Sequence, residues 1–376
     1  MIPVYAVATH AVSALGPDTA AHWRAVSGMQ SGIRHYEDAA LSDLPFQASM
    51  PDAACWQLVH THTRTGDPLT PFEQLACYSA RQAMQEAGMD RPGADTAFIL
   101  STTKGNIELL GQGSDRRLLL PHSAAAIAKA LGIGTKPLVV SQACVSGVVA
   151  LLYGLRLVQS GRYRHVIVTG CDRFSRFVLS GFRSFHAIAD APCRPFDAAR
   201  KGITLGEAAA TIILSADPGD TPQGVLVAGA TSNDANHISG PSRTGDELAM
   251  AIARTLQQAG IPPQDVGMVS AHGTATLYND EMEARAFDTA GLAATPLHSL
   301  KGYVGHTLGA AGVLESVLAL EGLRHRQLIP SAGYEHNGVS KPLHITRSMQ
   351  PADIRYVLKT ASGFGGCNAA LVWRRV

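Results

Sequence analysis

The feature that most constrains this chain is an alternation of short β-branched runs with longer helical patterns. The runs are VIVTG (166–170), ATIIL (210–214), GVLVAGA (224–230), GMVSAHG (267–273) and RYVLKTASG (355–363). The helical patterns PFEQLACYSARQAMQEAG (71–88), VSGVVALLYGLRLVQSG (145–161) and DELAMAIARTLQQAG (246–260) each end at glycine, the residue that most readily closes a helix. Strands that are apolar on both faces and are separated by helices of this length predict an α/β fold with buried sheets. HVIVTGCDRF (165–174) and YVLKTASGFG (356–365) share a strand, a threonine and a small-residue turn. Two similar halves are therefore expected, joined in the Pro- and Gly-containing stretch SADPGDTPQG (215–224). The division falls at 1–218, a half carrying Cys144, and 219–376, a half carrying His272 and His306.

Composition narrows the class of function. With 46% hydrophobic and 16% charged residues in 376, the chain can bury a large core and is not a disordered segment. Its 31 basic and 30 acidic residues nearly cancel, which removes the electrostatic case for nucleic acid or an anionic membrane surface. The N-terminal MIPVYAVATHAVSALG reads as a strand entering a turn, not as a signal peptide, so the expected compartment is the cytoplasm. No apolar run reaches the ~18 residues of a membrane span; AGVLESVLALEGL is broken by Glu315 and Glu321. The six cysteines form no CxxC pair, so neither a disulfide framework nor a zinc knuckle is indicated.

Chemistry concentrates at four turns. Cys144, in VVSQACVSGVV, is read three ways: a small core hydrophobe, a redox or metal ligand, or a nucleophile. Its place at the head of an apolar helix favours the thiolate. His272 lies in SAHGTATLYNDEMEA (270–284), beside the small hydroxyl-bearing loop that holds Thr274 and Thr276. Lys301 and His306 lie in SLKGYVGHTLGAAG (299–312), where Gly309 to Gly312 permit close backbone packing. SGFGGCNAALV (362–372) is a glycine-rich turn whose N–H groups could form half of an oxyanion hole. A metal held by Cys144, His272 and His306 is the rival reading, but the sequence lacks HxxxH or CxxC spacing. Phosphate cradling fails because no GxxxxGK[ST] or GxGxxG unit is present.

Together SQACVSG, CRPFDAARKGITLGEAAA (193–210), AHGTATLYNDEME, KGYVGHTLGAAG and GFGGCN resemble, in order and approximate spacing, the elongating β-ketoacyl-[acyl carrier protein] synthases. The resemblance extends to the N-terminal AVSALGPDTAAHWRAVSGMQSGIRHY and so covers nearly the whole chain. It implies the thiolase fold, a five-layered α-β-α-β-α core, and a dimer built across the N-terminal half. It also implies an acyltransferase in which Cys144 takes an acyl chain from acyl carrier protein and a malonyl unit is decarboxylated and condensed onto it. By the same resemblance His272 and His306 hold the enolate as Nε2–H donors, and the backbone N–H groups of Cys144 and Phe364 bind the oxyanion. Lys301 would fix the surroundings of His306 and the charge balance with Glu283 as ionic partner, and Asp280 would add structural or ionic support. Thr274 and Thr276 would bind the pantetheine arm, and Phe364 would gate the acyl pocket. No cofactor or metal of the protein's own is implied.

The two-histidine set differs from the His and Asn of initiating synthases and from the second cysteine of thiolases. Cys144 is present, whereas chain-length-factor subunits lose the nucleophile; such a partner subunit, with little activity alone, is the alternative. The dimer is thus expected either with itself or with a chain-length factor. The stretch 101–132 looks about twenty residues shorter than in typical members, in a segment that covers their acyl pocket and dimer contact. STTKGNIELL (101–110) is similar to synthases of aryl polyene and related type II polyketide-like clusters, and housekeeping fatty-acid elongation is the other expectation.

Overall fold

Each of the three helical patterns becomes a helix closed by a left-handed glycine. They are α1 (Pro71–Glu86), α2 (Ser146–Gln159) and α3 (Asp246–Ala259), followed by Gly88, Gly161 and Gly260 at φ +64°, +70° and +66°. Thr70 caps α1 in a full capping box with Glu73, and Pro71 opens the helix. The computed structural model describes residues 2–64, 68–113, 115–236 and 238–376. Ser114, within the shortened 101–132 stretch, lies outside them.

Ten strands form one mixed sheet with a repeated plan. The first five are β1 (Tyr5–Ser13), β2 (Thr96–Ser101), β3 (Leu138–Val140), β4 (His165–Asp172) and β5 (Ala208–Ser215). The second five are β6 (Gly224–Asn233), β7 (Val266–Ser270), β8 (Leu297–His298), β9 (Tyr356–Gly363) and β10 (Cys367–Arg374). Their orders are β3-β2-β4-β5-β1 and β8-β7-β9-β10-β6, so each position in one set has a counterpart in the other. Strand directions match as well: the first three strands of each order are parallel and the last two run antiparallel. The sets join where Tyr5 and Ala6 of β1 pair with Val225 and Gly224 of β6.

Side-chain alternation sorts these strands among three cores. On β5, Ala209 and Ile213 face α1, while Ala210, Ile212 and Leu214 face α2 and α5 (Ala311–His325). On β10, Leu371 and Trp373 turn to the same central pair of helices, and Ala370 and Val372 turn outward to α3. The result is the five-layered order α1, sheet, α2 with α5, sheet, α3 with α4 (Leu277–Thr289). Burial on both faces explains why the strands read as continuous apolar runs. Among the described residues no helix is long and apolar enough to cross a membrane.

Candidate active site

The central helices place the site. Ala143, in the left-handed region at φ +44°, turns the chain sharply from β3 into Cys144, two residues before α2 begins. Gly363 has no Cβ to fill the gap, and so the 362–368 turn reaches the Cys144 backbone; a methyl there would stand 3.0 Å from the Cys144 nitrogen. The Phe364 backbone N–H then acts on the thiol, drawing its pKa down. The predicted strand 267–273 stops at Ser270, because His272 and Gly273 leave the ladder to hydrogen-bond Glu283 instead. His306 follows Gly305, at φ +64°, and its backbone joins that of Thr204 and Gly206.

These turns bring Cys144 Sγ and one ring nitrogen of each of His272 and His306 within 4.8 Å of one another. The two rings meet edge to face at 5.1 Å. Their tautomers follow from fixed donors. The Leu308 backbone N–H points at His306 Nδ1 at 3.3 Å, so Nδ1 accepts and the proton sits on Nε2. Lys301 spends its three protons on His272 Nδ1 at 3.3 Å, on the His272 carbonyl and on Glu315 Oε1 at 2.8 Å. His272 is therefore an Nε2–H donor too. His306 Nε2 is buried without a protein partner, as a donor waiting for a ligand would be. Burial, then the Lys301 charge, hold both imidazoles far below the usual histidine range, so both are neutral at neutral pH.

The same donors speak against a metal. A ligating histidine normally donates its second ring nitrogen to an acceptor, whereas here both Nδ1 atoms receive donors. Cys144, His272 and His306 lie close enough together to hold a metal ion, yet the donors at both Nδ1 atoms leave each Nε2 as an N–H beside the thiol.

The expectation of a thiolate gives way to burial. Cys144 is 7% exposed, and desolvation pushes its thiol up to about 11 against the pull of Lys301, Lys104 and the Phe364 N–H. Two further corrections concern Lys301. Its ionic partner is Glu315, not Glu283, and it hydrogen-bonds His272, reaching His306 only through its field. Glu283 instead clamps the His272 loop, accepting from the His272, Gly273 and Asn279 nitrogens. Asp280 does the same for Phe196, Thr274 and Ala275. Because the resting thiol is protonated, iodoacetamide labelling of Cys144 should rise about tenfold per pH unit from pH 7 to 9. Site-resolved mass spectrometry checks this, and a plateau near pH 7 would contradict it.

A pocket opens onto this centre, with Thr274, Thr276 and Phe364 on its walls and with Phe182, Phe185 and Ile203 forming an apolar side. Thr274 and Thr276 share a hydrogen bond of 2.9 Å at the head of α4. Phe364 stacks on Phe182 and meets Phe185 edge-on. None of the described residues of 101–132 lines this pocket. They are pinned elsewhere by Asn106, which bonds Thr70, Glu73 and Ser123.

Sequence reasoning missed three buried groups. Asp172 accepts from Thr102, Thr103 and Gly309, tying the end of β4 to the loop that precedes α5. Glu315 and Lys359 form an ion pair at 2.6 Å inside the core. An ionisable residue within an otherwise apolar helix or strand was the available signal.

Comparison with known proteins points one way. The family model for the beta-ketoacyl synthase N-terminal domain matches residues 1–218, and that for the C-terminal domain matches 223–335. The tetracenomycin polyketide synthase ketoacyl synthase alpha subunit of Streptomyces glaucescens is 31% identical over 343 residues, covering 80% of each chain. Nodulation protein E of Rhizobium meliloti is 30% identical over 330 residues, 80% of this chain and 82% of that one. Among solved structures, the ishigamide ketosynthase/chain length factor superposes with a TM-score of 0.88 at 25% identity, over 100% of this chain and 99% of that one.

Proposed function

The chain belongs to the β-ketoacyl synthase family of condensing acyltransferases, and from that premise we propose how its own residues carry out a decarboxylative Claisen condensation on carrier-protein thioesters. The observation that carries this reading is the Cys144 thiol facing two neutral imidazoles, each fixed as an Nε2–H donor.

In the first step Cys144 Sγ attacks the thioester of an acyl carrier protein. The acyl–sulfur bond to the carrier breaks, and the thiol proton leaves with the departing pantetheine thiol, so no net charge is created. A malonyl thioester then enters. Its carbonyl oxygen accepts from His272 and His306 Nε2–H, its carboxylate departs as carbon dioxide, and the freed electron pair forms an enolate. Neutral donors suit this step because they stabilise an oxygen whose charge is only then developing. The enolate carbon attacks the acyl-Cys144 carbonyl, and the backbone N–H groups of Cys144 and Phe364 bind the oxyanion. Collapse expels the Cys144 thiolate, which takes up one proton per turnover, as burial of the sulfur demands.

The pocket's shared threonine hydroxyls support the pantetheine arm, and Phe364, braced on Phe182 and Phe185, gates the acyl chain. Acyl carrier protein is the partner, and the chain pairs with a second copy or with a chain-length-factor-like subunit. The reaction uses no cofactor or metal of its own. Relatives named for polyketide synthesis favour a type II polyketide-like pathway over housekeeping elongation. Six free cysteines suit the reducing cytoplasm.

Mass spectrometry of the protein after incubation with acyl- and malonyl-carrier protein tests the reading: an acyl adduct on Cys144 and a β-ketoacyl product are expected. Absence of any adduct would refute it. His306→Ala should slow malonyl decarboxylation by roughly 10²- to 10³-fold, the cost of removing one oxyanion donor, and leave acylation of Cys144 nearly intact. Assays of the two half-reactions separate these effects.

A further inference from the structure

Lys359 is as deeply buried as Lys301, yet it touches neither the pocket nor the thiol. Its ammonium contacts the carbonyls of Ser270, Ala271 and Thr360 at 3.2, 3.3 and 2.6 Å. It also meets Glu315 Oε2 as an ion pair at 2.6 Å, while the other oxygen of that carboxylate holds Lys301. Three carbonyl acceptors match the three protons of an ammonium, and the Glu315 carboxylate beside them opposes the burial that draws the Lys359 pKa down. Two of them, the Ser270 and Ala271 carbonyls, end the strand that delivers His272. A Lys–Glu–Lys bridge sets two cations on one carboxylate beside the histidines, with Glu283 as a second carboxylate at the His272 backbone.

We propose that Lys359 is a positioning residue for the decarboxylation half-reaction: it fixes Glu315, and through it Lys301, against His272, while pinning the strand end from which that histidine projects. The inference rests on the condensing reading and adds to it a residue that never touches substrate. A buried ion pair of this kind is weak evidence for stability, since a well-packed apolar replacement is often as stable. A functional reason for two buried cations is therefore the stronger account. The charged and titratable groups facing the two histidines are Cys144, Lys301, Lys359, Glu283 and Glu315, with His298 on the neighbouring strand. Both lysine charges act to keep the imidazoles unprotonated. Removing one should let protonation begin at higher pH.

The test compares Lys359→Met with Lys359→Gln, which keeps a donor for the carbonyls if the apolar variant fails to fold. Malonyl decarboxylation is expected to fall roughly 10- to 100-fold, as when an outer partner of an active-site histidine is lost. Acylation of Cys144 should stay within about twofold of wild type, because the thiol and the Phe364 N–H are untouched. In ¹⁵N-histidine spectra, the His272 and His306 signals should titrate at higher pH than in wild type. Unchanged decarboxylation, or a parallel loss of both half-reactions with unmoved histidine titrations, would overturn the proposal. A wild-type protein inert in both half-reactions would instead sink the condensing reading, and the histidine spectra would still report on the Lys359 contact.

Discussion

Cys144→Ala is expected to abolish condensation, lowering it by at least ~10⁴-fold, while malonyl decarboxylation survives within about tenfold. The split follows from geometry. The thiol is needed to hold the acyl chain and to be expelled from the tetrahedral intermediate, and no neighbouring side chain can replace it. The donors that stabilise the enolate are on the other two turns, and their tautomers are set by Leu308 and Lys301, not by the sulfur. Alanine is smaller than the cysteine it replaces between Ala143 and Val145, so the fold should persist with an unchanged circular dichroism spectrum. Carbon dioxide release from malonyl-carrier protein, measured beside β-ketoacyl product, checks both halves. Loss of decarboxylation together with condensation would mean that the histidines act only through the thiol, contrary to their separate anchoring.

What was legible in the sequence was what local chemistry writes locally. Cys144, His272 and His306 each sit where an apolar strand gives way to small residues and then to a helix, and that pattern survives without knowledge of the partners. The helix ends at Gly88, Gly161 and Gly260 were legible for the same reason, since a left-handed closing residue is a property of one position. Illegible features depended on contacts far apart in the chain. Glu315 reads as an interruption in an apolar helix; its meaning lies in Lys301 and in Lys359, 44 residues further on. Glu283 is near enough in sequence to invite pairing with Lys301, yet the helix it belongs to directs its carboxylate at backbone N–H groups. The thiolate expectation weighed the helix terminus but not the burial that only the packed layers supply.

Gly312→Ala should cost both rate and stability, because the new methyl would fall between the two helices that carry the site. The two central helices cross with their backbones in contact: a Cβ on Gly312 would lie 2.4 Å from the Val148 nitrogen and 2.8 Å from the Gly147 carbonyl carbon. Gly147 is confined in return, at 2.8 Å from the Val313 nitrogen. Ordinary contact begins at 3.4 Å, so α2 and α5 must part by about 1 Å, and backbone atoms at the clash leave no side chain to swing aside. Overpacking of this kind costs about 1–3 kcal/mol or more. The functional cost is larger, because α2 begins just after Cys144 and α5 just after His306. A displacement of that size between reacting groups is worth ~10²-fold in rate. The variant is therefore expected to lose condensation by that factor or more and to melt at lower temperature, whereas Gly134→Ala, with nothing within 4 Å of the new methyl, should match wild type in both. A Gly312→Ala protein with wild-type turnover and melting temperature would show that the distance between thiol and imidazole is set by the sheets and not by the crossing of the two helices.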